Sequence, residues 1–275
     1  MKSGMSDMRV KPFLKWVGGK TQLLPDLLAF APKEFKTYHE PFLGGGALFF
    51  ALQPKVSMLG DFNRRLVNAY ECVRNHYPDV VAHMRTFKRT AADFYEQRAI
   101  LNKEGVLLAP NPEAAARFVY LNKTCFNGLW RENAGGEFNV PYGGDRSGKF
   151  LDEKVLLDCS IALHGAHQVR CEDFGNVQFR AQFGDFVYFD PPYIPLTATS
   201  FVDYTSDGFA APEQLRLRDI ALDLKSRGVH VMLSNSDTPL VRELYRGFKL
   251  HEVQARRSVN SNGQGRGKVG ELIIL

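Results

Sequence analysis

Short apolar runs alternate with amphipathic stretches at both ends of the chain and give way in the middle to helical periodicity alone. Leu23, Leu24, Leu27 and Leu28 recur at helical spacing. Thr37-Tyr-His-Glu-Pro-Phe-Leu-Gly-Gly-Gly-Ala-Leu-Phe-Phe50 reads as a short strand, a glycine turn and a new helix, and Val56-Ser-Met-Leu-Gly60 as a second strand ending at Asp61. From about Leu66 to Asp158 strands drop out, and segments such as Ala91 to Leu101 and Pro112 to Asn122 carry a helical pattern. Alternation resumes with a strand over Gln168 to Cys171, running into Glu172-Asp173-Phe174. Phe186-Val-Tyr-Phe189, bounded by Gly184 and a double proline, has the pattern of a strand buried on both faces. Pro191 and Pro192 cannot extend a ladder, so this strand ends at Asp190. Gln214 to Arg227 forms an amphipathic helix, Val229 to Asn235 another buried strand and Leu240 to Tyr245 a helix. Leu250 to Val259 and Val269 to Leu275 close the chain as a hairpin. The pattern predicts an α/β sheet with helices on both faces, built from 1–65 and 158–275, around a mainly helical insert at 66–157.

Composition adds a partner class. The 275 residues are 44% hydrophobic and 24% charged, an ordinary globular profile that allows one large domain or two smaller ones. The net charge of +5 favours a polyanionic partner. Cys72, Cys125, Cys159 and Cys171 include no Cys-x-x-Cys pair and no histidine at metal spacing, which predicts a reduced, cytoplasmic protein without structural zinc. Met1 to Val10 reads as a flexible leader without a signal-peptide core, and no segment has the apolar length of a membrane span.

Candidate chemistry clusters at strand ends. Gly19-Lys20-Thr21 resembles the end of a phosphate-binding loop, but Leu14 stands where that motif needs glycine, so an ATPase reading is poor. What remains is a turn presenting Trp16 and Lys20 at a helix start. Gly44 and Gly46 permit close backbone approach to a ligand; Phe49 replaces the third glycine of a dinucleotide fingerprint, so the loop suits an adenosyl-type cofactor. Asp61, after the second strand, could by itself equally cap the helix from Asn63 onward, but its position after the glycine loop favours a role in binding ribose hydroxyls. Asp190-Pro-Pro-Tyr193 places a carboxylate, a stiffened backbone and a phenol ring at the carboxyl end of a buried strand, where it suits a flat, amine-bearing ligand such as a nucleobase. The plain alternative is a strand-terminating turn. Within the insert, most Lys and Arg residues read as a solvated face, but Phe126 to Arg131 sets exposed aromatics beside Asn127 and Arg131, an arrangement that is costly without a partner. Ser261 to Lys268 is glycine-rich and basic, and Gln254 to Lys268 carries Arg256, Arg257, Arg266 and Lys268 with no acid, as a mobile loop beside a polyanion would.

Several motifs together resemble one family. Phe42-x-Gly44-x-Gly46, Asp190-Pro-Pro-Tyr193 and the insert between them are similar to the S-adenosylmethionine-dependent amino-methyltransferases. Phe13-Leu-Lys-Trp-Val-Gly-Gly-Lys20, Asn127-Gly-Leu, Gly136-Glu-Phe-Asn-Val-Pro141, Ser234-Asn-Ser-Asp-Thr238 and Arg256-Arg-Ser-Val-Asn-Ser-Asn-Gly263 narrow the resemblance to the DNA adenine methyltransferase (Dam) family across nearly the whole chain. The resemblance implies a Rossmann-like methyltransferase sheet with an inserted target-recognition domain. It implies S-adenosyl-L-methionine as cofactor, held by Trp16, Lys20, Phe42, Gly44, Gly46, Asp61 and Asp190, with Asp173 and Phe174 flanking its adenine. Catalysis is implied at Asp190, Pro191, Pro192 and Tyr193. Contact with double-stranded DNA at GATC is implied for Lys15, Phe126, Asn127, Leu129 and Arg131, with Asn139, Pro141 and Tyr142. A flipped adenine would present its amine to Asp190 and the Pro191 carbonyl and its ring to Tyr193. A monomer needing no metal and no membrane is expected. Two other readings stay open: an amino-methyltransferase for RNA or another DNA sequence, and a non-catalytic DNA-binding relic. A protein glutamine methyltransferase fits less well, because that activity resembles Asn-Pro-Pro-Tyr.

Overall fold

The computed structural model describes residues 10–16, 18–105, 109–194, 209, 211–256 and 268–275. In chain order its elements are α1 (Leu24–Phe30), β1 (Tyr38–Glu40), α2 (Ala47–Leu52), β2 (Val56–Asp61), α3 (Arg64–Asn75), α4 (Tyr77–Thr86), α5 (Ala91–Lys103), α6 (Pro112–Thr124), α7 (Glu153–Leu163), β3 (Ala166–Cys171), α8 (Val177–Arg180), β4 (Phe186–Phe189), α9 (Ala211–Ser226), β5 (His230–Ser236), α10 (Pro239–Leu244), β6 (Leu250–Arg256) and β7 (Lys268–Ile274). The expected leader, the loop at 261–267 and residues 257–263 of the last motif lie outside the described residues.

The chain divides into two units. The sheet unit comprises Lys20–Leu43, Pro54–Asn63 and Ala166–Leu275; the helical unit comprises Met1–Gly19, Gly44–Gln53 and Arg64–Gly165. All seven strands fall in the sheet unit, in the order β3-β2-β1-β4-β5-β7-β6. The first five are parallel and β7 runs antiparallel between β5 and β6, so the closing hairpin follows its sequence pattern. The inner strand β4 is buried at every position, as its unbroken apolar run requires. The edge strand β3 alternates instead, with His167 and Val169 buried and Gln168 and Arg170 exposed.

Two layers of helix flank the sheet within this unit. Val187 and Phe189 of β4, Val231 and Leu233 of β5, and Leu272 and Ile274 of β7 pack with Leu217, Ala221 and Leu224 of α9 and Val241 and Leu244 of α10. Burying each large side chain contributes about 1.5–3 kcal/mol. On the opposite face, Phe30 of α1 meets His251 of β6 with ring centroids 4.3 Å apart, and Phe35 meets Phe186 at 5.6 Å. This is an α/β fold with the Rossmann-like sheet that the sequence resemblance implied. The order reverses between β1 and β4, because the chain leaves β1 for β2 on one side while β4 and β5 build on the other. The carboxyl edge at such a switch point is where open α/β sheets bind ligands.

The helical unit is built by repeated capping. Thr90, Asn111 and Asp152 each accept the backbone N–H three residues on, opening α5, α6 and α7, and Pro112 occupies the first turn of α6. A core of Phe94, Leu101, Tyr120, Leu121, Phe138 and Val140 fills the space beneath the loops that follow α6.

Candidate active site

Asp190 stands at the end of β4, stopped there by the two prolines. Its side chain retains 19% exposure, whereas Lys20, whose Nζ lies 2.7 Å from Asp190 Oδ1, retains 6%. The Ser234 hydroxyl, from β5, donates to the same oxygen at 3.0 Å. Burial pushes the Asp190 carboxyl above its ordinary range, while Lys20 and Ser234 pull it back. The phenol of Tyr193 donates to Glu271 Oε2 of β7 at 2.9 Å, and Lys20 Nζ sits 4.5 Å from its ring centroid. Burial and the negative charges of Asp190 and Glu271 push the Tyr193 phenol well up, so it stays neutral and keeps its proton for Glu271. Pro191 is buried and Pro192 exposed; the Pro192 carbonyl accepts from Gln214 Nε2 at 3.0 Å. The Gln214 amide in turn accepts from Asn235 at 3.3 Å, so α9 and β5 brace the rim from behind.

The neighbouring strand ends carry the other expected acids. Asp61 closes β2, and its Oδ1 accepts the Asn63 N–H at 2.9 Å, a local turn of the kind a helix cap makes. Asp173, just past β3, accepts from Gly175 N at 2.8 Å and forms an ion pair with Arg216, which holds its carboxyl below the ordinary range. Phe42, at the end of β1, stacks on Phe174 with centroids 5.1 Å apart, and the Arg216 guanidinium lies 4.5 Å from the Phe174 centroid. Lys20, Phe42, Asp61, Asp173, Phe174, Asp190 and Tyr193 therefore all belong to the sheet unit.

Trp16, Gly44 and Gly46 belong to the helical unit. Gly44 has a positive φ of 47°, and a Cβ there would stand 2.6 Å from Trp16 Cδ1. The close approach that this glycine permits is thus made by the Trp16 indole. Lys15 is clamped through its backbone: its N–H donates to Asn122 Oδ1 at 2.8 Å and its carbonyl accepts from Asn122 Nδ2 at 2.7 Å. The Lys15 stem lies against Gly128, where a Cβ would come within 2.5 Å of Lys15 Cδ.

The Phe126 to Arg131 loop departs in part from its expected exposure. Phe126 is 48% exposed, and Asn127 holds a left-handed φ of 56°. Trp130, by contrast, packs against Phe118 and Phe138 at centroid distances of 4.2 and 4.3 Å and donates to Glu132 at 3.0 Å. Of the two aromatics in the loop, Phe126 is exposed and Trp130 is half-buried. Leu129 packs on the core below. The exposed Arg131 donates from Nε to Asn139 Oδ1 at 2.9 Å, and the Pro141 carbonyl accepts from Phe126 N at 2.9 Å. Tyr142 packs against Phe94 at 5.3 Å. Lys15, Phe126, Asn127, Leu129, Arg131, Asn139, Pro141 and Tyr142 are all in the helical unit.

The sequence profile of the D12 class N6 adenine-specific DNA methyltransferases matches residues 16–259, most of the chain. The chain belongs to that family. The methyltransferase is 40% identical over 271 residues to the type II methyltransferase M1.LlaDCHI of Lactococcus lactis, covering 97% of this chain and 95% of that protein. It is 38% identical over 289 residues to the type II methyltransferase M.MjaIII of Methanocaldococcus jannaschii, covering 98% and 99%. It is 36% identical over 271 residues to the DNA adenine methylase of Escherichia coli, covering 96% and 95%. The methyltransferase is an enzyme that acts on DNA adenine. Among its described residues no group of three or more His, Cys, Asp or Glu side chains is placed to hold a metal ion, and no helix is long and apolar enough to cross a membrane.

Sequence reasoning passed over Gln214 and Glu271, and quoted Ser234 only as part of a motif. A polar Ser-Asn-Ser ending an otherwise apolar strand is the signal that could have singled out Ser234. Glu271 sits within an apolar run in the closing strand, and an acid at that place is costly unless it has a partner.

Proposed function

We propose that this methyltransferase transfers a methyl group from S-adenosyl-L-methionine to the N6 amine of adenine in duplex GATC. The adenine is flipped out of the helix and methylated directly, without a covalent enzyme intermediate. The observation that carries the reading is Asp190 at the carboxyl end of β4, with two donors on Oδ1 and a phenol ring beside it. An adenine stacked in a duplex has its amine out of reach of such a pocket, so it must leave the stack. Asp190, with the Pro191 carbonyl, accepts hydrogen bonds from the amine. These bonds keep the nitrogen lone pair from delocalising into the ring and make it a better nucleophile. Tyr193 supplies the stacking plate. Fixed acceptors and close approach supply the rate.

The cofactor reading is supported by the donor set of the sheet unit. Asp61, Asp173 and Asp190 follow the carboxyl ends of β2, β3 and β4, while Phe42 and Phe174 form an aromatic wall. Acids suit ribose hydroxyls and an amino group; aromatic rings suit a purine. Lys20 and Asp190 complete that set, and family resemblance adds Trp16, Gly44 and Gly46. When bound, the cofactor supplies an electrophilic methyl group on a sulfonium sulfur.

Target choice is assigned to the segment 66–157 with Lys15, and reading of base edges to Phe126, Asn127, Leu129, Arg131, Asn139, Pro141 and Tyr142. A paired carboxamide and guanidinium such as Asn139 and Arg131 suit a guanine edge. The enzyme works in the cytoplasm, as a monomer and without metal. The test is methylation of duplexes with and without GATC, read by a nuclease that cuts only methylated GATC. Cutting is expected for the first set alone. Methyl incorporation confined to duplexes without that site would overturn the GATC assignment and leave the chemistry standing.

A further inference from the structure

We propose that Ser234 and Tyr188 are positioning residues for methyl transfer, forming a two-link hydroxyl relay that fixes which oxygen of Asp190 faces the target amine. The inference rests on the reading of Asp190 as the acceptor for that amine. An ionised carboxylate only accepts, and a serine hydroxyl has one proton. Ser234 Oγ lies 3.0 Å from Asp190 Oδ1, so its proton points there. Tyr188 Oη lies 2.8 Å from the same Oγ, and with that proton committed the phenol has to donate. The direction is therefore set from Tyr188 through Ser234 to Asp190. Ser234 is 0% and Tyr188 1% exposed, so water cannot substitute for either link.

The sheet register makes the relay. Phe189 pairs with Leu233 in the parallel ladder of β4 and β5, which sets Asp190 level with Ser234 and leaves Tyr188 on the same face. Lys20 Nζ also meets Oδ1, at 2.7 Å. Two donors thus converge on Oδ1, and Oδ2 receives none from the described residues. Two donors on one oxygen restrict the carboxylate torsion and leave Oδ2 as the oxygen we assign to the target amine. The other charged or titratable groups facing this carboxylate are Tyr38 and Glu40 of β1, Tyr193, and Glu271 of β7. Tyr38 is already occupied by Glu40, its hydroxyl donating at 2.9 Å, and Tyr193, which also faces Ser234, donates to Glu271. Neither can stand in for Ser234.

The test is single-turnover methyl transfer at saturating DNA and cofactor, followed against pH, in Ser234→Ala and Tyr188→Phe. The parent enzyme and Asp190→Ala serve as references, and melting curves check the fold. Ser234→Ala is expected to lower the transfer rate by roughly 10-fold or more, the weight of one hydrogen bond to a charged group. The Michaelis constants should stay within about 2-fold of the parent, because the relay touches neither ligand. The acid limb of the pH profile should move to higher pH, because one donor that favours the ionised carboxylate is gone. Tyr188→Phe removes a single buried oxygen and should move both quantities the same way by less; it carries the test if Ser234→Ala fails to fold. Parent-like rates and acid limbs in the folded variants, or a loss confined to the Michaelis constants, would overturn the relay while an inactive Asp190→Ala preserved the Asp190 reading. An active Asp190→Ala would overturn both.

Discussion

Asp190 and Lys20 form a charge pair of which the cation is the more deeply buried member. Removing the acid alone therefore does two separable things. Asp190→Ala should cut methyl transfer by roughly 10³-fold or more through loss of the amine acceptor. It should also cost about 3–5 kcal/mol by taking the carboxylate away from the buried Lys20 ammonium, read by denaturant unfolding. The double variant Lys20→Met with Asp190→Ala should regain much of that stability and none of the activity. Restored turnover in it would remove Asp190 from the chemistry. A different residue-scale outcome belongs to Arg131, exposed and held by Asn139. Arg131→Ala should narrow the preference for the cognate site over one-base-altered sites by about 1–3 kcal/mol. An unchanged ratio of methylation rates would remove Arg131 from base reading.

At the scale of elements, β4 carries both the core and the rim, since Phe189 is 0% exposed and the next residue is Asp190. Phe189→Ala should cost about 3–5 kcal/mol in equilibrium unfolding, because the cavity opens between β4 and the α9 layer. The other end of the strand has its own titration. His39 of β1 bonds to Asp185 Oδ2 at 3.0 Å, and burial lowers its pKa below 6.5 in spite of that partner. The unfolded chain then binds the proton more readily than the folded one. Stability is fully present above about pH 6.5 and falls as the pH drops from there towards the lowered folded value. His39→Gln should flatten that slope in melts taken between about pH 7 and 5; an unaltered slope would assign it to other groups. The elements themselves were legible where pattern and punctuation agreed. Pro191 and Pro192 located the end of β4, and Thr90, Asn111, Asp152 and Thr238 mark four helix starts by their capping side chains. Partners across the fold were not legible. Ser234 reaches Asp190 over 44 residues and Glu271 reaches Tyr193 over 78, and no local pattern encodes such a pairing. Trp130 misled for the same reason, its packing partner Phe118 lying in the preceding helix.

For the whole molecule, we assign the acceptor chemistry of Asp190 and Tyr193 to the sheet unit and base reading to the helical one, which also carries Trp16, Gly44 and Gly46. Variants of Phe126 or Arg131 should accordingly leave binding of the cofactor unchanged in calorimetry, while Phe42→Ala should weaken it by about 10-fold or more through loss of one aromatic wall. A change in cofactor affinity for Arg131→Ala would argue against that division. The Asn122 clamp on Lys15 has one more consequence, for the order in which the helical unit assembles. It joins positions 107 residues apart. Closing a chain segment of that length costs on the order of 4 kcal/mol of entropy, which two hydrogen bonds alone do not repay. Other anchors share the work: Phe13 is buried edge-on against Tyr70 at 4.9 Å, and Cys159 Sγ donates to the Lys11 carbonyl at 3.1 Å. The segment from Lys11 to Trp16 can therefore dock only on a surface that α3, α6 and α7 have already formed. We expect this strip to dock after those helices have packed and to open before them. In native-state hydrogen exchange, the Lys15 amide should open well before the amides in the middle of α6, and Asn122→Ala should speed the former while leaving the latter unchanged.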